Sequence, residues 1–169
     1  MVAARSVNRR RHDAERAARV ATLAGNRSPV VASPIVPDVL VATDADWIYA
    51  EVEAALSDDT TRLHWVRSGA EVPAAVDADG PDLTVLDLQI GNMGGIATFL
   101  HLRQEAEEGR LPQTRVLMLL DRPADVPMAR RVGVDGWLLK PLDAFRLRRA
   151  SRALLEGQTF HEPSGLAMS

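Results

Sequence analysis

Short apolar runs alternate with segments of helical periodicity between residues 38 and 156, and this alternation constrains the fold more than any other feature. Strands separated by helices at such spacing form a parallel sheet with helices on both faces, because parallel neighbours need a crossover connection. Right-handed crossovers then predict a doubly wound α/β fold with five strands. The predicted strands are residues 38–42, 62–66, 82–87, 115–120 and 136–139.

The segments between the strands place apolar residues on one face of a helix. Two of them, near residues 70–79 and 125–132, have weak periodicity and predict short helices. The other three have clear inward faces, predicted at Ile48, Val52, Ala55 and Leu56 in the first helix, Ile96, Phe99 and Leu100 in the third, and Leu147, Ala150 and Leu154 in the last.

Charge divides the chain into three parts. Residues 1–37 hold seven arginines against two acids and end in a proline-rich stretch, which predicts a flexible basic arm and linker. Residues 38–125 hold 17 acids and six arginines, whereas residues 126–156 hold seven basic residues and three acids. We therefore expect one domain at 38–156, followed by a short tail at 157–169.

Composition narrows the classes of function. The chain has no cysteine, which excludes disulfides and thiolate chemistry, and no apolar run as long as a membrane span. No glycine-rich nucleotide loop or catalytic triad is visible, and the four histidines lack metal-ligand spacing. We expect a cytoplasmic protein that is not an enzyme and that acts by binding another protein. Nucleic acid is not an expected partner, because the acidic middle would repel phosphates.

Charged side chains stand at the carboxyl ends of three predicted strands, where doubly wound sheets place their sites. Asp44 follows the first strand, Asp87 ends the third and Lys140 follows the fifth. Each has a plain structural explanation when taken alone, such as a helix N-cap for Asp44. Together they predict a place where two carboxylates and one amine meet. Lys140 is also the only lysine in the chain, and a compact ammonium suits a crowded site better than a wide guanidinium.

Two stretches resemble one protein family. "TVLDLQIGNMGG" is similar to the "LDL…P-x-M-x-G" turn of bacterial response-regulator receiver domains, and "GVDGWLLKP" is similar to their "GADDYLLKP". The resemblance spans about residues 39–156 and implies a flavodoxin-like receiver fold with strand order 2-1-3-4-5. It implies that Asp87 accepts a phosphoryl group from the histidine of a partner kinase, and that Lys140 pairs with Asp87 and later with that group. It also implies a Mg²⁺ site formed by Asp44, Asp87 and the backbone carbonyl of Gln89.

The sequence departs from the family pattern at several places near this site. Thr43 stands where the family has the first of two acids, so we expect weaker Mg²⁺ binding. The hydroxyl residue after the fourth strand is replaced by Leu120 or, with a shift of one residue, by Asp121, and neither donates the family's hydrogen bond. Gly91 replaces a proline. Trp137 replaces the switch tyrosine or phenylalanine, which predicts either a fixed face or plain packing of a bulky indole.

These observations leave two main hypotheses. The favoured one is an orphan receiver that lacks an output domain, since 13 residues follow Glu156, and that signals by protein–protein binding with Mg²⁺-dependent phosphorylation at Asp87. The alternative is a pseudo-receiver, independent of phosphorylation, that docks on a larger complex as an accessory or structural subunit. A flavin- or nucleotide-binding enzyme is a third interpretation. The predicted partner surface consists of Arg9, Arg10, Arg11, Arg16 and Arg19 in the arm, and of Arg130, Arg131, Arg146, Arg149 and Arg152 near the last two helices.

Overall fold

The computed structural model describes residues 36–163, and strands alternate with helices through this part of the chain. The strands are β1 (Asp38–Ala42), β2 (Arg62–Val66), β3 (Leu83–Asp87), β4 (Arg115–Leu120), β5 (Gly136–Leu139) and β6 (Phe160–His161). The helices are α1 (Asp46–Leu56), α2 (Val72–Asp79), α3 (Gly95–Glu107), α4 (Val126–Val132) and α5 (Ala144–Leu155). The predicted alternation is confirmed, and β3 begins one residue later than predicted.

The sheet is parallel throughout, with strand order β2-β1-β3-β4-β5-β6. The predicted order 2-1-3-4-5 is therefore confirmed, but the prediction of five strands is one short. The sixth strand comes from residues that the sequence assigned to the tail, and it pairs Gly136 with Phe160 and Trp137 with His161. Two residues are too few to show the alternation by which a strand is recognised in a sequence.

The inner strands β1, β3, β4 and β5 are mostly buried because helices cover both sides of the sheet, whereas the edge strands β2 and β6 are only partly buried. Along β1, Val39 and Val41 face one apolar layer, with α1 and α5, while Leu40 and Ala42 face the other, with α2, α3 and α4. This alternation follows from the two-residue period of a strand. None of the helices described within residues 36–163 combines the length and the apolar character needed to cross a bilayer.

The predicted inward faces of α1 and α5 are confirmed, whereas that of α3 needs a correction. Leu100 is exposed, and the buried residues of α3 include Phe99 and Leu102 instead. The helix takes this orientation because Gly95 lies directly against the end of β3. A Cβ atom at Gly95 would be 2.8 Å from the carbonyl oxygen of Asp87.

Candidate functional site

The carboxyl ends of β1, β3 and β5 meet at one edge of the sheet and carry the predicted charged residues. Asp87, the last residue of β3, is only 2% exposed, and Nζ of Lys140 lies 2.7 Å from its Oδ1. Asp44 is exposed just after β1, and its Oδ2 accepts a hydrogen bond of 3.2 Å from the backbone N–H of Gly91. The fold thus brings Asp87 and Lys140 into contact and sets Asp44 against the turn that follows β3.

Both carboxylate oxygens of Asp87 have hydrogen-bond donors, as a buried carboxylate requires. Oδ1 accepts from Lys140 Nζ and from the backbone N–H of Gln89 at 3.2 Å. Oδ2 accepts from the hydroxyl of Thr43, which is itself fully buried, at 2.8 Å. Among the described residues this is the one donor to Oδ2, and because a carboxylate oxygen has two lone pairs, one stays available to a ligand.

Lys140 lies between two carboxylates. Its Nζ donates to Oδ1 of Asp121 at 2.9 Å as well as to Asp87. Burial of the ammonium lowers its pKa, but the hydrogen bonds and charges of the two carboxylates outweigh burial, so the pKa of Lys140 lies above its ordinary value. The side chain is therefore a positive charge at neutral pH. A small ammonium can bond both oxygens at once, which explains the use of lysine better than charge alone.

The turn after β3 is fixed by contacts that its sequence makes possible. Gly91 replaces the family's proline, and its N–H donates to Asp44, which a proline could not do. The N–H of Gly69 donates to the carbonyl of Gly91 at 2.9 Å. A Cβ atom at Gly69 would lie 1.8 Å from the carbonyl oxygen of Met93, so the turn can approach only because residue 69 has no side chain.

The residues present at this edge can be compared with the needs of a metal ion. Within residues 36–163, no group of three or more histidine, cysteine or acidic residues is arranged to hold a metal. Mg²⁺, however, is commonly bound through one or two carboxylates and retains several waters. The carboxylates of Asp44 and Asp87, with the carbonyl of Gln89, are a donor set of that kind. Thr43 contributes a hydroxyl that is engaged with Asp87 rather than a second acid on the β1 side.

The predicted switch positions have distinct surroundings. Leu120 ends β4 fully buried in the core, so it is Asp121, one residue later, that reaches the site. Trp137 is fully buried, and its Nε1 donates to the backbone carbonyl of Glu162 at 2.9 Å. Its indole also stacks on the ring of His161 with 4.1 Å between ring centroids. The indole is thus held both by its face and by its N–H.

Residues 158–162, here named the C-terminal strap, cover the β5 edge of the sheet. Nη2 of Arg115 donates to the carbonyl of Gln158 at 2.6 Å. At the other end, the carboxylate of Glu162 accepts from the backbone N–H of Leu139 at 2.7 Å and from Nε of Arg146 at 2.6 Å. The Glu162 carboxylate raises the pKa of Arg146 above its ordinary value. The strap was not predicted from the sequence, and Arg146, predicted as part of a partner surface, has its guanidinium bonded within the domain.

The remaining arginines of the predicted partner surface differ in their ion pairing from the arginines of residues 38–125. Arginines 62, 67, 103, 110, 115 and 122 each form an ion pair with a carboxylate. No ion pair joins a residue of 36–163 to Arg130, Arg131, Arg149 or Arg152. The same holds for Arg148, which was not among the predicted partner residues. Arg9, Arg10, Arg11, Arg16 and Arg19 lie outside the described residues.

Three of these unpaired arginines line a groove between α5 and the strap, here named the α5 groove. Arg148, Arg149 and Arg152 border it together with one acid, Glu156, and Phe160 forms part of its wall. Nε of Arg148 also donates to the backbone carbonyl of Ala55 at 2.8 Å. Phe145, at the start of α5, is 73% exposed beside them. The groove therefore joins unpaired positive charge to an exposed aromatic surface.

An aromatic stack near the site was also missed. Nε1 of Trp65 donates to the backbone carbonyl of Thr43 at 2.9 Å, and the indole stacks on Tyr49 with 4.0 Å between ring centroids. The guanidinium of Arg67 lies 4.4 Å from the centroid of the same indole and pairs with Asp46. These residues come from α1, β2 and the segment after it, so only the folded sheet brings them together.

A doubly wound parallel sheet, with a buried carboxylate ending β3 and a lysine after β5, defines a domain of the receiver class. Residues 39–152 match the response regulator receiver domain family, and the chain belongs to that family. Receiver domains are signalling domains of two-component systems, and response regulators interact with histidine kinases and other proteins.

Relatives and solved structures agree with this assignment. Response regulator protein PmrA of Pseudomonas aeruginosa is 29% identical over 121 residues, covering 72% of this chain and 53% of its own length. Nitrate/nitrite response regulator protein NarL of Escherichia coli is 32% identical over 104 residues, covering 62% of this chain and 47% of its own length. The chain thus spans about half the length of these relatives. Chemotaxis response regulator CheY4 of Vibrio cholerae has a TM-score of 0.62 at 23% identity, with 70% of this chain and 98% of that chain covered, which shows a shared fold.

Proposed function

We propose that this chain is a cytoplasmic phosphoacceptor that receives a phosphoryl group on Asp87 from the phosphohistidine of a partner histidine kinase. The observation that carries the proposal is the buried carboxylate of Asp87, with an ammonium 2.7 Å from Oδ1 and a single described donor to Oδ2. A carboxylate oxygen of Asp87 forms a bond to phosphorus while the phosphorus–nitrogen bond to histidine breaks. The electron pair of that bond stays on the imidazole nitrogen, which takes up a proton.

The remaining residues of the site orient and balance charge in this step. Lys140 compensates charge on Asp87, and Thr43 and the N–H of Gln89 hold the carboxylate in one orientation. Asp44, Asp87 and the carbonyl of Gln89 are the groups that would hold Mg²⁺, a cation that neutralises phosphoryl oxygens when bound. Because Thr43 is neutral, we expect this ion to be bound more weakly than at a site with two acids after β1.

The proposal is tested by incubating the full chain with a small acyl phosphate, with and without Mg²⁺, and measuring the intact mass. We expect a Mg²⁺-dependent gain of one phosphoryl group, lost in Asp87→Asn and retained in Asp125→Asn. Asp125 is a matched control because it lies in the turn after β4 and bonds Arg122 rather than Lys140. Absence of any gain at every donor concentration would contradict the phosphoacceptor role.

A second candidate is a phosphorylation-independent accessory subunit that docks on a larger complex, and the fixed position of Trp137 favours it. The strap holds this indole by stacking and by a hydrogen bond, so the switch position lacks the freedom to report phosphorylation. Docking would use the α5 groove, whose unpaired arginines and exposed Phe145 suit an acidic segment with an apolar side chain. The arm arginines Arg9, Arg10, Arg11, Arg16 and Arg19 would add a second contact.

The two candidates differ in what phosphorylation changes. For the accessory subunit, we expect a partner captured from native lysate to bind the wild-type chain and Asp87→Asn equally, with or without the phosphodonor. Arg149→Glu combined with Arg152→Glu should abolish capture, whereas Arg110→Glu, a charge reversal at an exposed residue just after α3, should not. A change in affinity of tenfold, about 1.4 kcal/mol, on phosphorylation would contradict this candidate and favour the first.

A further inference from the structure

Asp121 lies at the site, yet the proposed phosphoryl transfer gives it no role. It follows β4, and its Oδ1 is 2.9 Å from Nζ of Lys140, which is also 2.7 Å from Oδ1 of Asp87. Side-chain exposure is 12% for Lys140 and 33% for Asp121, so solvent screens the pair only in part. Two carboxylates therefore share one ammonium.

The distribution of charge around the site has also changed relative to the family pattern. An acid is missing at Thr43, on the side of the site where Mg²⁺ would bind, and an acid is present at Asp121, on the side of Lys140. The site thus has three carboxylates, Asp44, Asp87 and Asp121. Compared with the family pattern, it has one acid fewer on the metal side and one acid more on the ammonium side. An acid on the metal side attracts the cation, whereas an acid on the ammonium side occupies the lysine.

We propose that Asp121 is a positioning residue that competes with a phosphoryl group on Asp87 for Lys140, and so opposes phosphoryl transfer. The inference rests on the proposed phosphoacceptor function of Asp87. Asp121 supplies Lys140 with the second anionic contact that a phosphoryl oxygen would otherwise supply. Because both carboxylates bond the same nitrogen, converting Asp87 from a carboxylate with one negative charge to an acyl phosphate with about two would add about one negative charge close to the carboxylate of Asp121. When the phosphoryl group arrives, either Lys140 breaks its bond to Asp121, or the phosphoryl group and the Asp121 carboxylate lie side by side with no cation between them.

The first part of the inference is that Asp121 holds the ammonium of Lys140. Because the chain has a single lysine, chemical labelling of its amine tests this part directly. An acylating reagent reacts more readily with an amine that fewer carboxylates hold, so the rate of Lys140 acylation at one fixed pH reports how firmly Nζ is held. Asp121→Asn removes one of the two carboxylates that bond Nζ and should therefore be acylated faster than the wild-type chain. Asp125→Asn, which changes a neighbouring acid that does not touch Lys140, should match the wild-type chain.

The second part, that Asp121 opposes phosphoryl transfer, is tested by the rate of phosphoryl labelling by a small acyl phosphate in the presence of Mg²⁺. We expect Asp121→Asn to be labelled roughly tenfold faster than the wild-type chain, as for removal of one like charge near a partly buried site. Asp121→Glu should restore the slow rate, and Asp125→Asn should leave it unchanged. Circular dichroism and melting of each variant confirm that all four chains are folded.

Each outcome bears on the proposal. Unchanged acylation of Lys140 in Asp121→Asn would show that Asp121 does not hold the ammonium, and would overturn it. Faster acylation with unchanged or slower phosphoryl labelling would overturn the competition while leaving the phosphoacceptor role of Asp87 intact. If no chain takes up a phosphoryl group, the proposed function and the competition both fail, and faster acylation would then identify Asp121 as an ion-pair partner only.

Discussion

At the scale of single residues, Thr43 is the neutral neighbour of Asp87 on the β1 side of the site. It donates to Oδ2 of Asp87, whereas an acid at the same position would repel Asp87 and attract a cation. We expect Thr43→Asp to melt at a lower temperature without Mg²⁺, because it places two carboxylates together in a buried position. We also expect Mg²⁺ to raise its melting temperature more than that of the wild-type chain, because binding to the folded state stabilises it.

This prediction is checked by thermal melts across a Mg²⁺ titration, followed by tryptophan fluorescence. Trp65 is a suitable reporter because its indole bonds the carbonyl of Thr43. Thr60→Asp, which adds an acid at an exposed turn, is the matched control and should show no added response to Mg²⁺. Equal Mg²⁺ responses in Thr43→Asp and the wild-type chain would mean that position 43 is not on the metal side of the site.

Lys140→Arg keeps the charge but changes its shape. The wider, planar guanidinium cannot replace one nitrogen that bonds both Asp87 and Asp121, so one carboxylate loses its partner. We expect the free energy of unfolding to fall by about 1–3 kcal/mol, measured by urea denaturation. Arg110→Lys, an exposed change of the opposite kind, should have no measurable effect. A chain with Lys140→Arg as stable as the wild type would contradict our explanation for the single lysine.

The sequence predicted the residues of the site better than the bonds between them. Asp44, Asp87 and Lys140 were predictable because each stands at the carboxyl end of a strand, and the topology of the sheet brings those ends together. The hydrogen bond from Thr43 to Asp87 and the ion pair of Lys140 with Asp121 depend on side-chain directions that strand spacing does not specify.

At the scale of elements, the turn after β3 depends on a residue from another part of the chain. Gly69 precedes α2, yet a Cβ atom there would lie 1.8 Å from the carbonyl oxygen of Met93 in the turn. We expect Gly69→Ala to displace the turn and lower the free energy of unfolding by about 1–3 kcal/mol, as overpacking of a close contact does. The measurement is chemical denaturation, with Gly94→Ala as the control.

The control is informative because a Cβ atom at Gly94 would meet nothing closer than 3.9 Å. We therefore expect Gly94→Ala to cost less than Gly69→Ala. Gly69→Ala should also slow phosphoryl labelling, since the displaced turn carries Gly91, which bonds Asp44. Equal and small effects of the two substitutions would show that the turn is not held by this contact.

The C-terminal strap depends on one carboxylate. Glu162→Ala removes the acceptor for the N–H of Leu139 and for the guanidinium of Arg146, both partly buried. We expect a loss of about 1–3 kcal/mol in the free energy of unfolding and a changed near-ultraviolet dichroism of Trp137, which the strap covers. Glu156→Ala, an exposed acid just before the strap, should leave both quantities unchanged. If Glu162→Ala matches Glu156→Ala, the strap is not anchored by Glu162.

The elements themselves were largely predictable, and the two failures have physical reasons. The rotation of α3, which buries Leu102 and exposes Leu100, is set by the close approach of Gly95 to the β3 backbone. Periodicity alone allows either apolar stripe to face inward. The strap was missed because its strand has two residues and because it is held by side chains of β4 and α5 and by a backbone N–H of β5 rather than by its own pattern.

At the scale of the whole molecule, the site edge and the β5–β6 side of the domain differ in the contacts that fix their backbone. The site edge is formed by turns around residues 44–46, 87–95 and 121–125, with an exposed Asp44 and a shared ammonium. The β5–β6 side is held by the strap and by the buried indole of Trp137. We therefore expect phosphorylation to change the turns at the site without changing the β5–β6 side.

Hydrogen–deuterium exchange of the full chain, with and without Mg²⁺ and a small acyl phosphate, tests this account most directly. We predict slower exchange in the turns at 44–46, 87–95 and 121–125, dependent on Mg²⁺ and absent in Asp87→Asn, with unchanged exchange in residues 136–139 and 158–162. Unchanged exchange at the site turns would contradict a phosphoacceptor role for Asp87. Altered exchange in the strap and β5 would contradict a fixed Trp137, and would show that this chain transmits the signal through the face that the strap covers.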